Sequence, residues 1–188
     1  MYGTIFRITL LFISALALGG CVSRVSGHRL DELQAPIKKL NYVVLPGKFE
    51  ISGPDAERYS PERMNANLHD LLPWISQRIP LVFSLNGIET GEINNVQYEL
   101  IIKPDSATHY LRGSSSFIET FFSACIIDKS SASKKIWEGN VTFLNGPITQ
   151  INEKTIDDFV KDILMQLAAD GVVKLGSDEI KVPAGARL

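Results

Sequence analysis

The spacing of apolar and polar residues along the chain predicts strands and two amphipathic helices. Alternation with a period of two predicts a half-buried strand over residues 96–102, and a long apolar run predicts another over residues 117–128. Apolar residues also recur at helical spacing after Ser60-Pro61 and after Asn152. Serine and asparagine are preferred helix N-caps, and proline is favoured at the first helical position. The pattern therefore predicts a fold of the α+β class.

Prolines divide the first half of the predicted domain. The apolar run within residues 41–45 predicts the first strand. Pro73 interrupts the apolar stripe of the first helix, which predicts either a kink or two consecutive short helices. Pro80 is predicted to end this helical region, and residues 81–85 are predicted to form a short strand.

The second half of the domain is predicted to contain a hairpin and the last helix. Residues 104–116 are predicted to be a loop, and a turn at residues 129–133 joins the following strands as an antiparallel hairpin. Gly171 is predicted to end the last helix. The element order predicts a two-layer sandwich: a mainly antiparallel sheet of about four to five strands with two amphipathic helices on one face.

The first residues have the pattern of an export signal. Arg7 supplies a positive charge, and an apolar run over residues 8–18 follows it. This run is too short to cross a bilayer, because a spanning helix needs roughly 20 apolar residues. We therefore expect the run to be removed rather than to anchor the chain.

The sequence Leu18-Gly19-Gly20-Cys21 resembles the lipobox of bacterial lipoproteins. The resemblance implies cleavage before Cys21 and acylation of its thiol, so that the lipid bilayer becomes a partner of the mature chain. In a Gram-negative host, Val22 after the cysteine implies sorting to the outer membrane, facing the periplasm. An ordinary signal peptide with a coincidental cysteine is the alternative.

The predicted domain organisation follows from these segments. Residues 22–40 are mixed and polar without a sustained period, which is typical of a tether. Beyond Gly171 the chain has mixed charge and several glycines and prolines. We therefore expect a signal peptide at 1–20, a lipidated tether at 21–40, a single α/β domain at 41–175 and a loose tail at 176–188.

Composition and charge exclude two classes of protein. The chain has 188 residues, with 19 Lys and Arg against 21 Asp and Glu and a net charge of −2 at pH 7. Without a block of basic residues it cannot neutralise several phosphates, so we expect no nucleic-acid partner. Hydrophobic residues make up 45% of the chain, which argues against intrinsic disorder.

No pattern of reactive side chains predicts a catalytic, metal or cofactor site. His28, His69 and His109 are isolated from other metal-ligating residues in the sequence. The serines at residues 114–116 follow a glycine but lack the pattern of a nucleophile elbow, so a hydrolase is only a minor alternative. Cys125 lies in an apolar strand, which predicts a buried and inert thiol.

A second resemblance covers about 30 residues around the predicted hairpin. Residues 125–128 end in an aspartate, and residues 135–139 read Lys-Ile-Trp-Glu-Gly after a polar turn. This hairpin resembles one found in small periplasmic lipoprotein domains, including ABC-transport auxiliary lipoproteins and domains similar to the TolB amino-terminal region. The resemblance implies an accessory or assembly role rather than an enzyme.

Together these observations favour a non-catalytic, membrane-anchored module that binds another cell-envelope protein. A sheet with helices on one side leaves its other face for solvent or a partner. The alternative is a carrier of a lipid or other apolar ligand, held between the sheet and the kinked helix around Pro73 and Trp74. The predicted contact residues are Trp74, Phe117, Phe121 and Trp137.

Overall fold

The computed structural model describes residues 23–54, 56, 60–90, 96–112, 115–145, 151–177 and 179–183. These residues form an α+β fold, as predicted, with seven strands and three helices. The strands are β1 (Ser23–Arg29), β2 (Lys39–Val44), β3 (Glu50–Ser52), β4 (Glu89–Thr90), β5 (Tyr98–Arg112), β6 (Ser115–Asp128) and β7 (Lys134–Asn145). The helices are α1 (Pro61–Asn67), α2 (Leu71–Leu85) and α3 (Glu153–Ala169).

The sheet is mixed, and it is larger than predicted. Its strand order is β1-β7-β6-β5-β2-β4, with β3 paired to β5 beyond the end of β2. Strands β5, β6, β7 and β1 form an antiparallel series, whereas β2 and β3 run parallel to β5 and β4 runs parallel to β2. The prediction of four to five mainly antiparallel strands is therefore only partly correct, because short strands such as Glu89–Thr90 are too brief to produce a sequence pattern.

The segment predicted to be a tether belongs to the folded domain. Strand β1 pairs with β7 along its whole length, from Ser23 opposite Phe143 to Arg29 opposite Trp137. Ile37 is buried, and its amide donates a hydrogen bond of 2.8 Å to the carbonyl oxygen of Val172. The tether prediction is thus wrong for residues 23–40, and Cys21 lies outside the described residues.

The helical region after Ser60 consists of two consecutive helices, as one of the two predictions stated. The Ser60 hydroxyl accepts a hydrogen bond from the amide of Arg63 and caps α1. The chain breaks before Leu71, so Pro73 falls in the first turn of α2, where proline is tolerated. The predicted boundary is therefore a few residues too late.

Pro80 does not end the helix, and the predicted strand at residues 81–85 is wrong. These residues form the last turns of α2, in which Val82 and Phe83 are completely buried. A proline inside a helix costs about 3 kcal/mol because one hydrogen bond is lost and its ring crowds the preceding turn. Burial of two large apolar side chains, at about 1.5–3 kcal/mol each, offsets that cost.

The predicted loop at residues 104–116 is mostly strand. β5 continues through Pro104 to Arg112, with a shift of register between Pro104 and Ser106, and β6 begins at Ser115. A strand tolerates proline where a bulge removes the need for a ladder hydrogen bond. Pro104 therefore marks a bulge and not the end of the strand.

The last helix was predicted well, but the tail after it is held more firmly than predicted. Asn152 and Thr155 form a capping box at the start of α3, and Gly171 follows its end with a φ of 69°. The amide of Lys181 donates to Asn86 Oδ1 over 2.9 Å, and Asn86 Nδ2 donates to the carbonyl oxygen of Lys181 over 2.8 Å. In the part of the chain that the structure describes, no helix is long and apolar enough to cross a membrane.

Candidate interaction surfaces

The strands have one face covered by α2 and α3 and one face turned away from the helices. On β6 the residues facing the helices are buried, with Ile118 and Ile126 at 0% exposure and Phe122 at 1%. The alternate residues of the same strand are half-buried. We call these two sides the covered face and the open face. The apolar members of the open face are Val43, Leu45, Ile101, Tyr110, Phe117, Phe121, Cys125 and Ile127.

Apolar side chains on the open face meet across neighbouring strands. Tyr110 and Phe117 are cross-strand partners whose rings stack with centroids 5.7 Å apart and planes 13° apart. Ile101 lies opposite Cys125 in the same ladder, and Val43 lies opposite Ile101. Such cross-strand contacts join side chains into apolar clusters, and the strip that they form along β6 is interrupted by the polar pairs Glu119–Thr108 and Ser123–Lys103.

Charged residues border this strip at the end where β6 turns into β7. Glu138 accepts a hydrogen bond of 2.8 Å from Lys135 Nζ and lies 3.5 Å from His28 Nε2. The hydrogen bond from Lys135 lowers the pKa of Glu138. Lys129 Nζ lies 2.6 Å from Glu99 Oε1. An apolar centre with a polar rim is the arrangement found in protein interfaces.

A shallow depression lies within the open face and includes Cys125. Its volume is about 430 Å³, and it is lined by residues from β1, β5, β6 and β7. Cys125 is half-buried, so the prediction of a buried thiol is only partly correct. Burial raises the pKa of this thiol, which favours its protonated and less reactive form.

Trp137 is a core residue, contrary to the prediction of a contact role. Its side chain is 0% exposed, and its Nε1 donates a hydrogen bond of 2.7 Å to Asp170 Oδ2. The ring lies over Gly27 and Gly139, which are direct partners in the β1–β7 ladder. A Cβ atom at Gly139 would come within 2.7 Å of Trp137 Cη2. The glycine of the Trp-x-Gly sequence therefore makes room for the tryptophan ring. Gly27 of β1 is the second glycine beneath that ring.

The aspartate of the hairpin is a turn residue. Asp128 accepts hydrogen bonds from the amide of Ser130 over 2.8 Å and from its hydroxyl over 2.6 Å. The hydroxyl of Ser130 is the main cause of a lowered pKa at Asp128. Carboxylates that bond to the backbone two residues later are typical of turns. These contacts account for Asp128 without a chemical role.

The other predicted contact residues lie on two separate surfaces. Phe117 and Phe121 lie on the open face, as described above. Trp74 is 38% exposed and lies on the outer side of α2, on the opposite side of the molecule. The predicted contact residues do not include Ile101 and Val43, which also lie on the open face. Ile101 carried a signal, because it alone interrupts the polar side of its alternating strand.

An open groove lies beside the elbow between α1 and α2. Its volume is about 660 Å³, and it does not form a closed cavity. Pro73 lines this groove, whereas Trp74 does not. The apolar lining residues are Val44, Pro46, Phe49, Ala66, Leu68, Leu72 and Pro73.

The described residues contain no group of three or more His, Cys, Asp or Glu side chains arranged to hold a metal ion. His69 contacts Asp70 over 3.1 Å, but both side chains are well exposed. Ser114 lies outside the described residues, so the minor hydrolase hypothesis stays a prediction.

Comparisons with known proteins give distant similarities in structure. No family model matches the chain, and no curated protein matches it. It is similar to a variant of PelC, in a dodecamer from Paraburkholderia phytofirmans, with 16% identity, a TM-score of 0.44 and coverage of 78% of this chain and 97% of that one. It is also similar to lipoprotein GNA1162 from Neisseria meningitidis, with 14% identity, a TM-score of 0.39 and coverage of 71% and 99%.

Proposed function

We propose that this chain is a lipid-anchored, non-catalytic module of a bacterial cell envelope that binds another envelope protein through the open face of its sheet. The observation that carries the proposal is the open face itself. Its apolar strip runs across β2, β5 and β6 on the side of the sheet away from the helices. Apolar surface with a polar rim is typical of a protein-binding site.

The proposed lipid anchor is supported by the residues that precede β1. The lipobox-like sequence ends at Cys21, and two or more acyl chains hold a soluble domain stably on a membrane. In this proposal the chain lies on the outer membrane of a Gram-negative host and faces the periplasm. Mass spectrometry of the mature amino terminus tests it; an unmodified thiol at Cys21 would refute the anchor.

The partner-binding part is tested by crosslinking in intact cells. A photoreactive phenylalanine at Ile101 lies in the open face, and the same group at the exposed Lys154 of α3 is the matched control. We expect an adduct with another envelope protein from position 101 only. Phe121→Asp, introduced on the same face of β6 four residues from Cys125, the cross-strand partner of Ile101, should abolish that adduct. An adduct from position 154 alone would contradict the proposal. An adduct between two copies of this chain would contradict a foreign partner and show instead that the open face binds a second copy.

A second candidate function rests on the groove beside α1 and α2. Pockets of about 300–1,000 Å³ are the usual size for small ligands, and the observed volume of about 660 Å³ falls in this range. An apolar molecule would lie against Phe49, Leu72 and Pro73. The chain would then carry a lipid or another apolar ligand instead of, or in addition to, binding a protein.

The ligand hypothesis is tested by solvent extraction of the purified protein. Ala66→Trp places a large ring in the groove, whereas Asn67→Trp places the same ring on the exposed neighbour, which does not line it. We expect a co-purified lipid in the wild type and in Asn67→Trp, with a clear loss in Ala66→Trp. Equal lipid content in the two variants would exclude the groove as the binding site.

A further inference from the structure

Helix α2 is apolar on both of its sides, although only one side faces the core. Ile75 and Ile79 point toward the sheet and are 0% exposed. On the outer side Trp74 is 38% exposed, and Leu81 and Leu85 are each 45% exposed. A surface helix normally turns its apolar residues toward the core and polar residues outward. Three large apolar side chains of α2 depart from this pattern.

The outer side of α2 also has no charged side chain that is available for hydration. Arg78 is the only charged residue between Leu71 and Asn86. Its Nε and Nη2 each donate a hydrogen bond of 2.6 Å to the carboxylate of Asp157, so its charge is satisfied within the α2–α3 contact. The other outward residues are neutral, with Gln77 and Ser84 beside the three apolar side chains.

Exposed apolar side chains are concentrated on the helical side of the molecule. Of the six large apolar side chains exposed among the described residues, four belong to α2 or α3. The fourth is Met165 of α3, which is 48% exposed. This side of the molecule is opposite the open face of the sheet.

The chain enters the fold on this same side. The hydroxyl of Ser23 donates a hydrogen bond to Asp162 of α3, and both residues line a surface depression with Met165. Cys21 precedes Ser23 by two residues. Two residues span at most about 7 Å, so acyl chains on Cys21 would leave the domain next to α3. Helix α2 packs beside α3 in the same helical layer, on the side of α3 away from Ser23, and packed helices lie about 8–10 Å apart.

We infer that the outer side of α2 lies on the bilayer that holds the acyl chains of Cys21, with Trp74, Leu81 and Leu85 at the boundary between headgroups and hydrocarbon. This inference rests on the anchor in the proposed function. Tryptophan favours that boundary because its ring is apolar and its indole N–H is polar. Because β1 begins so soon after Cys21, there is no long linker that would let the domain turn its helical side away.

This orientation deepens the proposed function. The sheet separates the two surfaces, so contact of α2 with lipid directs the open face away from the membrane and toward the periplasm. A partner would then reach Ile101 and Phe121 without competing with the bilayer. The anchor, in this arrangement, sets the direction of the binding surface as well as its location.

The two tryptophans of the chain provide the test. The acylated full mature chain is placed in vesicles of phosphatidylethanolamine and phosphatidylglycerol that contain phosphatidylcholine brominated on its acyl chains. We expect the lipid bromines to quench most of the Trp74 emission, measured as the difference between wild type and Trp74→Phe. Emission from the buried Trp137 should be unchanged, and it reports that each variant is folded.

Two exposed positions give matched variants. Leu81→Asp together with Leu85→Asp should remove most of the bromine quenching of Trp74, whereas Leu30→Asp, at a similarly exposed leucine outside the helices, should leave it unchanged. Quenching of Trp74 by aqueous acrylamide but not by brominated lipid, in protein that remains on the vesicles, would overturn the inference alone. An unacylated amino terminus by mass spectrometry would overturn both this inference and the anchor.

Discussion

The covered and open faces of the sheet are built from alternate residues of the same strands, yet among the described residues only one of them packs against helices. On the covered face the ring of Phe122 lies 5.3 Å from that of Phe49 and 5.1 Å from that of Phe159, in edge-to-face contacts. On the open face its neighbour Phe121 lies opposite the small residues Ser106 and Thr142. The comparison indicates that the covered face stabilises the fold, whereas the described residues leave the open face half-buried.

Truncation of adjacent phenylalanines on the two faces should have very different effects. We expect Phe122→Ala to lower the free energy of unfolding by about 3–5 kcal/mol, because it leaves a cavity among packed rings. Phe121→Ala should cost about 1 kcal/mol or less, since that side chain is half-buried and has small neighbours. Urea unfolding followed by Trp137 fluorescence measures both. Equal losses would show that the open face is part of the core.

The ion pair between α2 and α3 tests how the covered face is held together. The guanidinium of Arg78 contacts Asp157, whose side chain is 5% exposed, and this hydrogen bonding raises the pKa of Arg78. Asp157→Ala should cost about 3 kcal/mol of unfolding free energy, because it removes both short hydrogen bonds of a largely buried cation and leaves only Glu153, at 3.8 Å, as a carboxylate neighbour.

The double variant Arg78→Met with Asp157→Leu is the matched control for that pair. Replacing both charges by apolar side chains of similar size removes the desolvation cost as well as the attraction, so its stability should be close to that of the wild type. Thermal unfolding of the three proteins decides the question. If the double variant is as unstable as Asp157→Ala, the contact supplies more than charge neutralisation.

The parts of the fold with a strong local pattern were predictable from the sequence. α3 combines a capping residue, an apolar stripe and a final glycine, and its observed bounds agree with that pattern. β6 has a long apolar run, and its extent was also anticipated. In both elements the local signal and the tertiary contacts favour the same structure.

Elements that depend on distant contacts were not predictable. β1 shows no apolar alternation, because Ser23 and Gly27, which face the helices, are small and not strongly apolar. These residues are held in the sheet by hydrogen-bonded pairing with β7. Gly27 makes room for Trp137, which is distant in sequence, so the tryptophan was mistaken for a contact residue. Pro80 was interpreted as a helix end because burial of the residues after it cannot be read from local sequence.

The glycine pair beneath Trp137 should be sensitive to a single methyl group. Gly139→Ala places a Cβ atom within 2.7 Å of the indole ring, so we expect a loss of about 1–3 kcal/mol from overpacking. Asn140→Ala, at the exposed next residue, should change stability by about 0.5 kcal/mol or less. Chemical unfolding of the two variants measures the difference. A neutral Gly139→Ala would contradict the close packing of Trp137 on β1 and β7.

The smallest effect concerns the reactivity of Cys125, which reports on the open face in the native chain. Burial raises the pKa of its thiol, so at neutral pH less thiolate is present than at a free cysteine, and the thiolate is the form that reacts. Iodoacetamide should therefore label Cys125 slowly, with a rate that rises as the pH approaches and passes the raised pKa. A cysteine introduced by Ser130→Cys at the exposed turn should label faster at the same pH. Partner binding at the open face should slow the labelling of Cys125 and leave the labelling rate at position 130 unchanged. If the partner changes neither rate, it binds elsewhere.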